Sequence, residues 1–404
     1  MDTSRHRSYV GQTAFAIGFV IVCVIVFNRA VNPFCVFASD WLETSLKPET
    51  FAHLRLVKAA QVRHLRPVTV LLGNSRVEVG LSPTHPAFSN RPVYNLGLSS
   101  ASAYETLRYF QHANACGEVR QAVWLLDYGS FLESSVPSPD FSESRLAVTV
   151  TGEPCRFSFI ADWVQSLLTA DAVSGSLRTL LKIKGELSYG IDGARIGGEE
   201  RARVLQKGGS LRAFQSYEEH SFPMLARQRA VPSEAALDQL RQALELARAR
   251  HVDVRLGISP VHARHLELLQ MAGAGLAYQE WRRRIVRLVE PLVASGVMES
   301  VVDFSGYNEY TTEVVPPSGL AKWYLESSHF TVELGDLVLR RLLEPRRQKE
   351  PGPGQFGFAL TLAGLPEHEH ATELARQKYL FERASEISQL HEMARPFLPS
   401  VNEK

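Results

Sequence analysis

The stretch that decides the fold is VTVLLGNSR, residues 68–76. Its first five residues carry β-branched and other large side chains without alternation, which predicts a buried strand that Gly73 ends. Continuous runs of this kind are typical of a parallel sheet that is covered on both faces. Ser75 follows on the tight turn that leaves the strand. This turn is where chemistry-bearing residues of such sheets usually stand.

The same pattern continues through the chain. Further buried strands are predicted at 93–96, 122–126, 252–258 and 298–304. Amphipathic helices are predicted at 101–112, 232–250, 278–293 and 331–343. Alternation of apolar strands with amphipathic helices predicts an α/β fold with a parallel sheet between two helical layers.

The N-terminal residues predict a membrane anchor. Residues 10–28 are uncharged and mostly apolar, about the 20 residues that a transmembrane helix requires. Arg5 and Arg7 precede them, which favours residues 1–9 in the cytoplasm and the main domain outside it, in the periplasm of a bacterium. A cleaved signal peptide and a buried helix of a soluble protein are the alternatives.

The rest of the chain divides by composition. Residues 29–66 are predicted as a connector, 67–345 as the main domain with a helical insertion at about 130–231, and 346–404 as a linker and helical tail. Lys and Arg total 44 and Asp and Glu 43, so the net charge of +1 argues against a nucleic-acid partner. No CxxC, HExxH or phosphate-binding glycine motif is present, so no metal or cofactor is expected. Cys116 and Cys155 could pair in an oxidising compartment or remain free thiols.

Polar residues follow each predicted strand, where a site of an open α/β sheet is expected. In chain order they are Asn74, Ser75 and Arg76, then Asn95 and Gly97, then Asp127, His262 and Asp303, with Glu326 and His329 before the last helix of the domain. A serine hydroxyl is a weak nucleophile without a base, and a histidine oriented by an acid supplies one. We therefore expect Ser75 as the nucleophile, His329 as its base and Glu326 as the acid. The N–H groups of Ser75 and Gly97 are the candidate oxyanion donors.

The remaining polar residues of this set each have two interpretations. Arg76 could pair with Asp127 across the strand ends or bind an anionic substrate group. Asp303 is a rival acid for His329. His262 could line the pocket or begin a helix after Pro260. A separate basic stretch, 282–284, is interpreted as a solvated helix face, with contact to a polyanion as the alternative.

The blocks Gly73–Ser75, Asn95–Gly97 and Glu326–His329 resemble those of the SGNH (GDSL-type) hydrolase superfamily, over about residues 65–345. The resemblance is closest to its membrane-anchored bacterial branch, which includes alginate O-acetylation proteins and the D-alanyl transfer protein of teichoic acid. It implies a flavodoxin-like three-layer fold and a serine esterase or O-acyltransferase acting on a cell-envelope or exported polysaccharide. An acyl-donor protein is the partner that it implies.

The chain departs from the family pattern at three places. Asn74 replaces the usual aspartate, Glu326 replaces the aspartate of the histidine block, and Asp127 stands where a third oxyanion donor is usual. An ionised carboxylate cannot donate a hydrogen bond to an oxyanion. Asn74 and the missing third donor favour the alternative of a non-catalytic envelope protein that binds a glycan or an assembly partner, whereas Ser75 and His329 favour an enzyme.

Overall fold

The structure of the 404-residue chain is a computed structural model. It describes residues 3–38, 42–155, 157–183, 185, 187–227, 231–343 and 356–398. The predicted linker at 346–355 lies outside the described residues. The chain forms two compact units. We call them the helical unit, Met1–Leu65 with Asp140–Ile191, and the sheet unit, Arg66–Pro139 with Asp192–Lys404.

The described residues form a six-stranded sheet and fourteen α-helices. The strands are β1 Thr69–Leu72, β2 Val93–Asn95, β3 Gln121–Leu126, β4 Asp253–Ile258, β5 Val302–Asp303 and β6 Phe358–Ala359. The helices are α1 Thr3–Val31, α2 Leu54–Leu65, α3 Ser75–Gly80, α4 Ala103–Cys116, α5 Phe159–Leu168, α6 Ala170–Leu180, α7 Gly197–Gln206, α8 Ser210–Arg227, α9 Glu234–Ala249, α10 Ala263–Met271, α11 Gly275–Ala294, α12 Val332–Leu343, α13 Leu365–Glu382 and α14 Ala384–Ala394. The segment predicted as an insertion, 130–231, contributes 140–191 to the helical unit and its other residues to the sheet unit.

The sheet has the strand order β2-β1-β3-β4-β5-β6. Strands β1 to β5 run parallel, and β6 pairs antiparallel with β5. Every residue of β1 and β3 is buried, so the α/β class and the buried parallel strands are confirmed. The strand predicted at 298–304 is wrong in extent, because only Val302 and Asp303 pair with β4.

Two helix starts in the sheet unit, those of α4 and α9, follow from their capping residues. Ser102 and Glu105 form a reciprocal capping box at the start of α4. Ser233 accepts a hydrogen bond from the N–H of Ala236 and starts α9. The predicted helical tail consists of two helices, α13 and α14, divided at Arg383.

Helices α3 and α12 approach each other closely through two glycines. A methyl group on Gly335 of α12 would overlap the carbonyl oxygen of Gly80, at the end of α3. A methyl group on Gly80 would overlap the ring of Phe330. Because α3 begins at Ser75 and α12 follows His329 by three residues, this contact brings both residues to the same edge of the sheet.

The basic stretch at the middle of α11 is not a solvated face, so that interpretation is wrong. Arg282 is buried and lies 3.0 Å from Asp303. Arg283 forms a two-pronged ion pair with Glu369, and Arg284 pairs with Glu234. All three charges are therefore neutralised within the sheet unit.

In the helical unit, α1 is the one helix of the described chain that is long and apolar enough to cross a membrane. Its segment Arg7–Val31 has a mean hydropathy of 2.4. The carboxyl end of α1 belongs to the core of this unit, because the Asn28 side chain donates to the carbonyl of Leu167 and accepts from Ser176. Val31 is buried at the same end. The four cysteines of the chain are free.

Candidate active site

The turn after β1 presents Ser75 at the edge of the sheet. Gly73 has a φ of +147°, and a methyl group there would lie 2.9 Å from the carbonyl oxygen of Leu125, so the turn requires glycine. Asn74 then caps α3, with its Oδ1 accepting from the N–H of Arg76 at 3.0 Å. Ser75 is consequently the first residue of α3, at the carboxyl end of β1.

Ser75, His329 and Glu326 form a continuous hydrogen-bonded chain. The Oγ of Ser75 lies 2.8 Å from Nε2 of His329. Nδ1 of His329 is hydrogen-bonded to the Glu326 carboxylate. An ionised carboxylate only accepts, so Nδ1 carries the proton and Nε2 is left to accept from the Ser75 hydroxyl. This is the arrangement in which a histidine can serve as the base for a serine.

The Glu326 carboxylate is held by backbone as well as by His329. It accepts the N–H groups of Ser328 at 2.7 Å and His329 at 2.9 Å. The Glu326 side chain therefore folds back over its own loop. This conformation accommodates the additional methylene group that glutamate has relative to aspartate. Glu326 and not Asp303 is the acid that contacts His329.

Asp303 lies in a separate buried cluster. It contacts Arg282 at 3.0 Å and His368 at 3.2 Å, and accepts hydrogen bonds from the N–H and hydroxyl of Ser305. Burial acts to raise the pKa of Asp303, but the hydrogen bond from His368 and the charge of Arg282 outweigh it and hold that pKa below its usual range. The expectation that Asp303 is a rival acid or a pocket residue is therefore wrong.

Arg76 connects the turn after β1 to the end of β3. It forms an ion pair with Asp127 at the end of β3, and both residues are buried. Asp127 also accepts the N–H of Gly129 at 2.9 Å. Of the two interpretations of Arg76, the structure shows the pairing across the strand ends.

Gly97 and Asn95 support α3 and do not line the cavity beside Ser75. The N–H of Gly97 donates to Oδ1 of Asn95 at 3.0 Å, so in this geometry it is not directed at an oxyanion. The Asn95 amide donates to the carbonyls of Val77 and Leu81, at the end of α3. The expectations that Gly97 donates to an oxyanion and that Asn95 belongs to the pocket are not supported by these contacts. The backbone N–H of Ser75 has no partner within the described part of the chain.

His262 is the N-cap of α10, as the second of its two interpretations held. Its Nδ1 accepts the N–H of Arg264 at 3.2 Å and its Nε2 donates to the carbonyl of Glu313 at 2.9 Å. Burial lowers the pKa of His262 to about 3, so the ring is neutral at neutral pH. It does not line the cavity beside Ser75.

A cavity of about 480 Å³ opens beside Ser75 and His329. Its polar lining includes Asn74, Arg76, Asp127, Ser130, Tyr217, Ser259, His265 and Ser328. Its apolar lining includes Leu132, Val136, Met224, Leu225, Val261, Leu266 and Leu269. A volume of this size is typical of a small-molecule site.

Sequence reasoning missed two aromatic groups of this cavity. The ring of Tyr217 meets that of His329 edge to face, with 6.3 Å between their centroids. His265 lies with its Nε2 3.4 Å from Arg76, and burial lowers its pKa well below the usual value. The signal for His265 was its position three residues after His262, whereas Tyr217 on α8 has no motif around it.

No protein-family model matches this sequence, and no curated protein matches it.

Proposed function

We propose that this protein is a membrane-anchored serine esterase or O-acyltransferase. The observation that carries the proposal is the hydrogen-bonded chain from Ser75 through His329 to Glu326, beside a cavity of about 480 Å³. Ser75 is the nucleophile, His329 the base and Glu326 the acid that orients the base and stabilises its charged form.

The reaction proceeds in two halves. Ser75 Oγ bonds to the carbonyl carbon of an acyl ester while its proton moves to Nε2 of His329. The tetrahedral intermediate then releases the alcohol, which takes the proton from His329, and leaves an acyl-enzyme. Water or an acceptor hydroxyl attacks this ester by the same proton path. Water yields the free acid, and a hydroxyl yields a new ester.

Two donors adjoin the carbonyl oxygen in this scheme. The N–H of Ser75 has no partner in the described chain, and Asn74 is one of the residues that line the cavity. Asn74 replaces an aspartate of the family pattern, and an amide can donate where a carboxylate cannot. These two groups, rather than Gly97, are the donors that we assign to the oxyanion.

The sheet topology supports the SGNH resemblance. The order β2-β1-β3-β4-β5 is the order of flavodoxin-like sheets. In such sheets the site lies where the chain reverses direction across the sheet, between β1 and β3. Ser75 and Asp127 stand at the carboxyl ends of those two strands.

We further propose that α1 anchors the protein in a bacterial plasma membrane with residues 1–9 in the cytoplasm and the main domain in the periplasm. The buried Asn28 and Val31 support an anchor over a cleaved signal peptide, because cleavage after α1 would remove part of the core of the helical unit. Arg5 and Arg7 support the orientation. The polysaccharide acceptor and the acyl-donor partner rest on the family resemblance alone.

A fluorophosphonate probe tests the proposal. The full-length chain in detergent is expected to label at Ser75, and Ser75→Ala and His329→Ala are expected to abolish labelling. The matched control is Ser259→Ala, because Ser259 lines the same cavity without a hydrogen bond to His329. Labelling that survives in Ser75→Ala would contradict the assignment of the nucleophile.

A non-catalytic binding protein is the second candidate. The Gly97 N–H that is engaged by Asn95 and the Arg76–Asp127 pair favour it, since both restrict charge stabilisation beside Ser75. A folded protein that neither labels nor releases acid from activated esters, but binds an acylated or unmodified polysaccharide in the cavity, would favour this candidate.

A further inference from the structure

Helix α5 has its polarity reversed relative to a helix on a water-soluble surface. Its buried side carries Asp162, 7% exposed, and Ser166, 0% exposed. Its exposed side carries large apolar residues, among them Trp163 at 42% and Val164 at 53%. An amphipathic helix in water buries its apolar face, so an exposed apolar face of this kind marks contact with something other than water.

One ion pair holds the buried face of α5. Asp162 pairs with Arg145 at 3.3 Å inside the helical unit. The orientation of the helix is therefore determined by an ion pair on its inner side. A rotation that buried Trp163 would expose this pair and break it.

Helix α6 shows the same reversed polarity, with small residues on its buried face. Its buried residues are Ala172, Gly175, Ser176 and Thr179, which recur on one face of the helix. Leu177, Leu180 and the following Leu181 are exposed. A methyl group on Gly175 would lie 2.9 Å from the side chain of Glu49, so the small residues permit close packing within the unit.

Both helices lie at the end of α1. The Asn28 side chain donates to the carbonyl at Leu167 of α5 and accepts from Ser176 of α6. From Tyr9 to Asn28, α1 has 20 residues and a length of about 30 Å, the thickness of the hydrocarbon core of a bilayer. With α1 spanning the bilayer over these residues, Asn28 lies at the boundary between hydrocarbon and headgroups.

The composition of the exposed face fits that boundary. Trp163 has an amphipathic ring of the kind that is enriched at membrane interfaces, and it packs against Phe159 with 4.7 Å between ring centroids. Lys182 is exposed just after α6. Helices of ten and eleven residues are too short to span a bilayer, which leaves the interfacial position.

We propose that α5 and α6 are interfacial helices whose exposed apolar faces contact phospholipid in the leaflet where α1 leaves the membrane. The occupant of these faces is a lipid surface of acyl chains just below the headgroups. The proposal rests on α1 spanning the membrane and is independent of the chemistry at Ser75.

Tryptophan quenching in nanodiscs tests the contact. The full-length chain is placed in phospholipid that carries bromine either near the carbonyl end of the acyl chain or near its terminus. Bromine near the carbonyl end is expected to quench part of the emission. That part is expected to disappear in Trp163→Phe and to persist in the matched control Trp323→Phe, which alters a half-buried ring of the sheet unit.

Two outcomes would overturn the proposal. The first is quenching by the carbonyl-end bromine that is equal in the wild type and in Trp163→Phe. The second is a Trp163 emission that bromine quenches at neither depth, in nanodiscs whose measured mass shows two copies of the chain. In that case the exposed faces of α5 and α6 form a contact between copies instead of a contact with lipid.

Discussion

Arg76 holds Ser328, the residue before His329, by three hydrogen bonds. Nε donates to the carbonyl and to the hydroxyl of Ser328, each at 3.1 Å, and Nη2 donates to the same hydroxyl at 2.9 Å. Since Arg76 also directly follows Ser75, one side chain connects the segment of the nucleophile to the loop of the base. The 2.8 Å contact between Ser75 and His329 lies between the two segments that this side chain connects.

Arg76→Lys is therefore expected to slow labelling of Ser75 without weakening probe binding. Lysine keeps a positive charge beside Asp127 but lacks the fork that contacts both acceptors of Ser328. Hydrogen bonds that involve a charged group contribute about 1.5–3 kcal/mol, so the maximal labelling rate should fall about tenfold or more. The probe concentration for half-maximal rate should be unchanged.

The matched control for this change is Arg195→Lys. Arg195 is another largely buried arginine of the sheet unit, and it pairs with Glu78 at 2.6 Å outside the cavity. We expect it to reduce the free energy of unfolding and leave the labelling rate intact. Equal losses of rate in both variants would show that Arg76 acts only through stability.

Glu326→Gln is expected to reduce the labelling rate of Ser75 by about 100-fold or more, because it removes the carboxylate that fixes the proton on Nδ1 of His329. Glu326→Asp keeps the charge and loses the reach of one methylene, so its rate should lie between those of Glu326→Gln and the wild type. Stopped-flow measurement of labelling checks both variants. A Glu326→Gln rate equal to that of the wild type would assign the orienting role to another group.

Gly335→Ala is expected to lower the free energy of unfolding by about 1–3 kcal/mol, since the new methyl group overlaps the carbonyl oxygen of Gly80. It should also slow labelling, because α12 would be forced away from α3. Gly198→Ala is the control. That position of α7 has open space around it, and alanine there should be neutral or slightly stabilising. Denaturant unfolding of the full-length chain in detergent measures both.

Asp303→Asn is expected to destabilise the protein by about 3–5 kcal/mol near neutral pH, because Arg282 is left as a buried charge without its partner. The pKa of Asp303 is lowered in the folded state, so its contribution to stability is present above the unfolded pKa of about 3.9 and is lost as pH falls further. The gap in unfolding free energy between wild type and variant should therefore narrow below about pH 4.

Asp253→Asn serves as the control for this pH dependence. Asp253 forms a partly exposed pair with Arg255 at 3.0 Å, and exposed pairs contribute about 0–1 kcal/mol. Urea unfolding at several pH values measures both variants. An Asp303→Asn penalty that stays constant from neutral pH to pH 3 would contradict the lowered pKa.

Some features of the fold and the site follow from local sequence. Strands β1 and β3 are continuous apolar runs, and Ser75 and His329 are recognisable because each stands at a defined place beside a strand or a helix. Asp303 was ambiguous for a physical reason. Its partners Arg282 and His368 lie 21 and 65 residues away along the chain. A local sequence pattern does not indicate contacts between residues so far apart.

The reversed polarity of α5 illustrates another limit. A periodic pattern shows that a helix has an apolar side, but it does not show which side faces the protein. The direction follows from the burial of Asp162 and Ser166, which depends on Arg145 and on the end of α1. The direction of the Gly97 N–H is likewise not visible in the sequence. It follows from a side-chain contact, because this N–H donates to Oδ1 of Asn95.

The helical unit combines two stretches of chain, Met1–Leu65 and Asp140–Ile191, that are separated by 66–139. During synthesis, α1 and α2 leave the ribosome long before α5 and α6, which supply the partners of Asn28. Strands β1, β2 and β3 are complete by Leu126 and can pair in that interval, since they need no residue of the later stretch. The order of translation thus allows three sheet strands to pair before the closure of the unit that contains the chain's first helix.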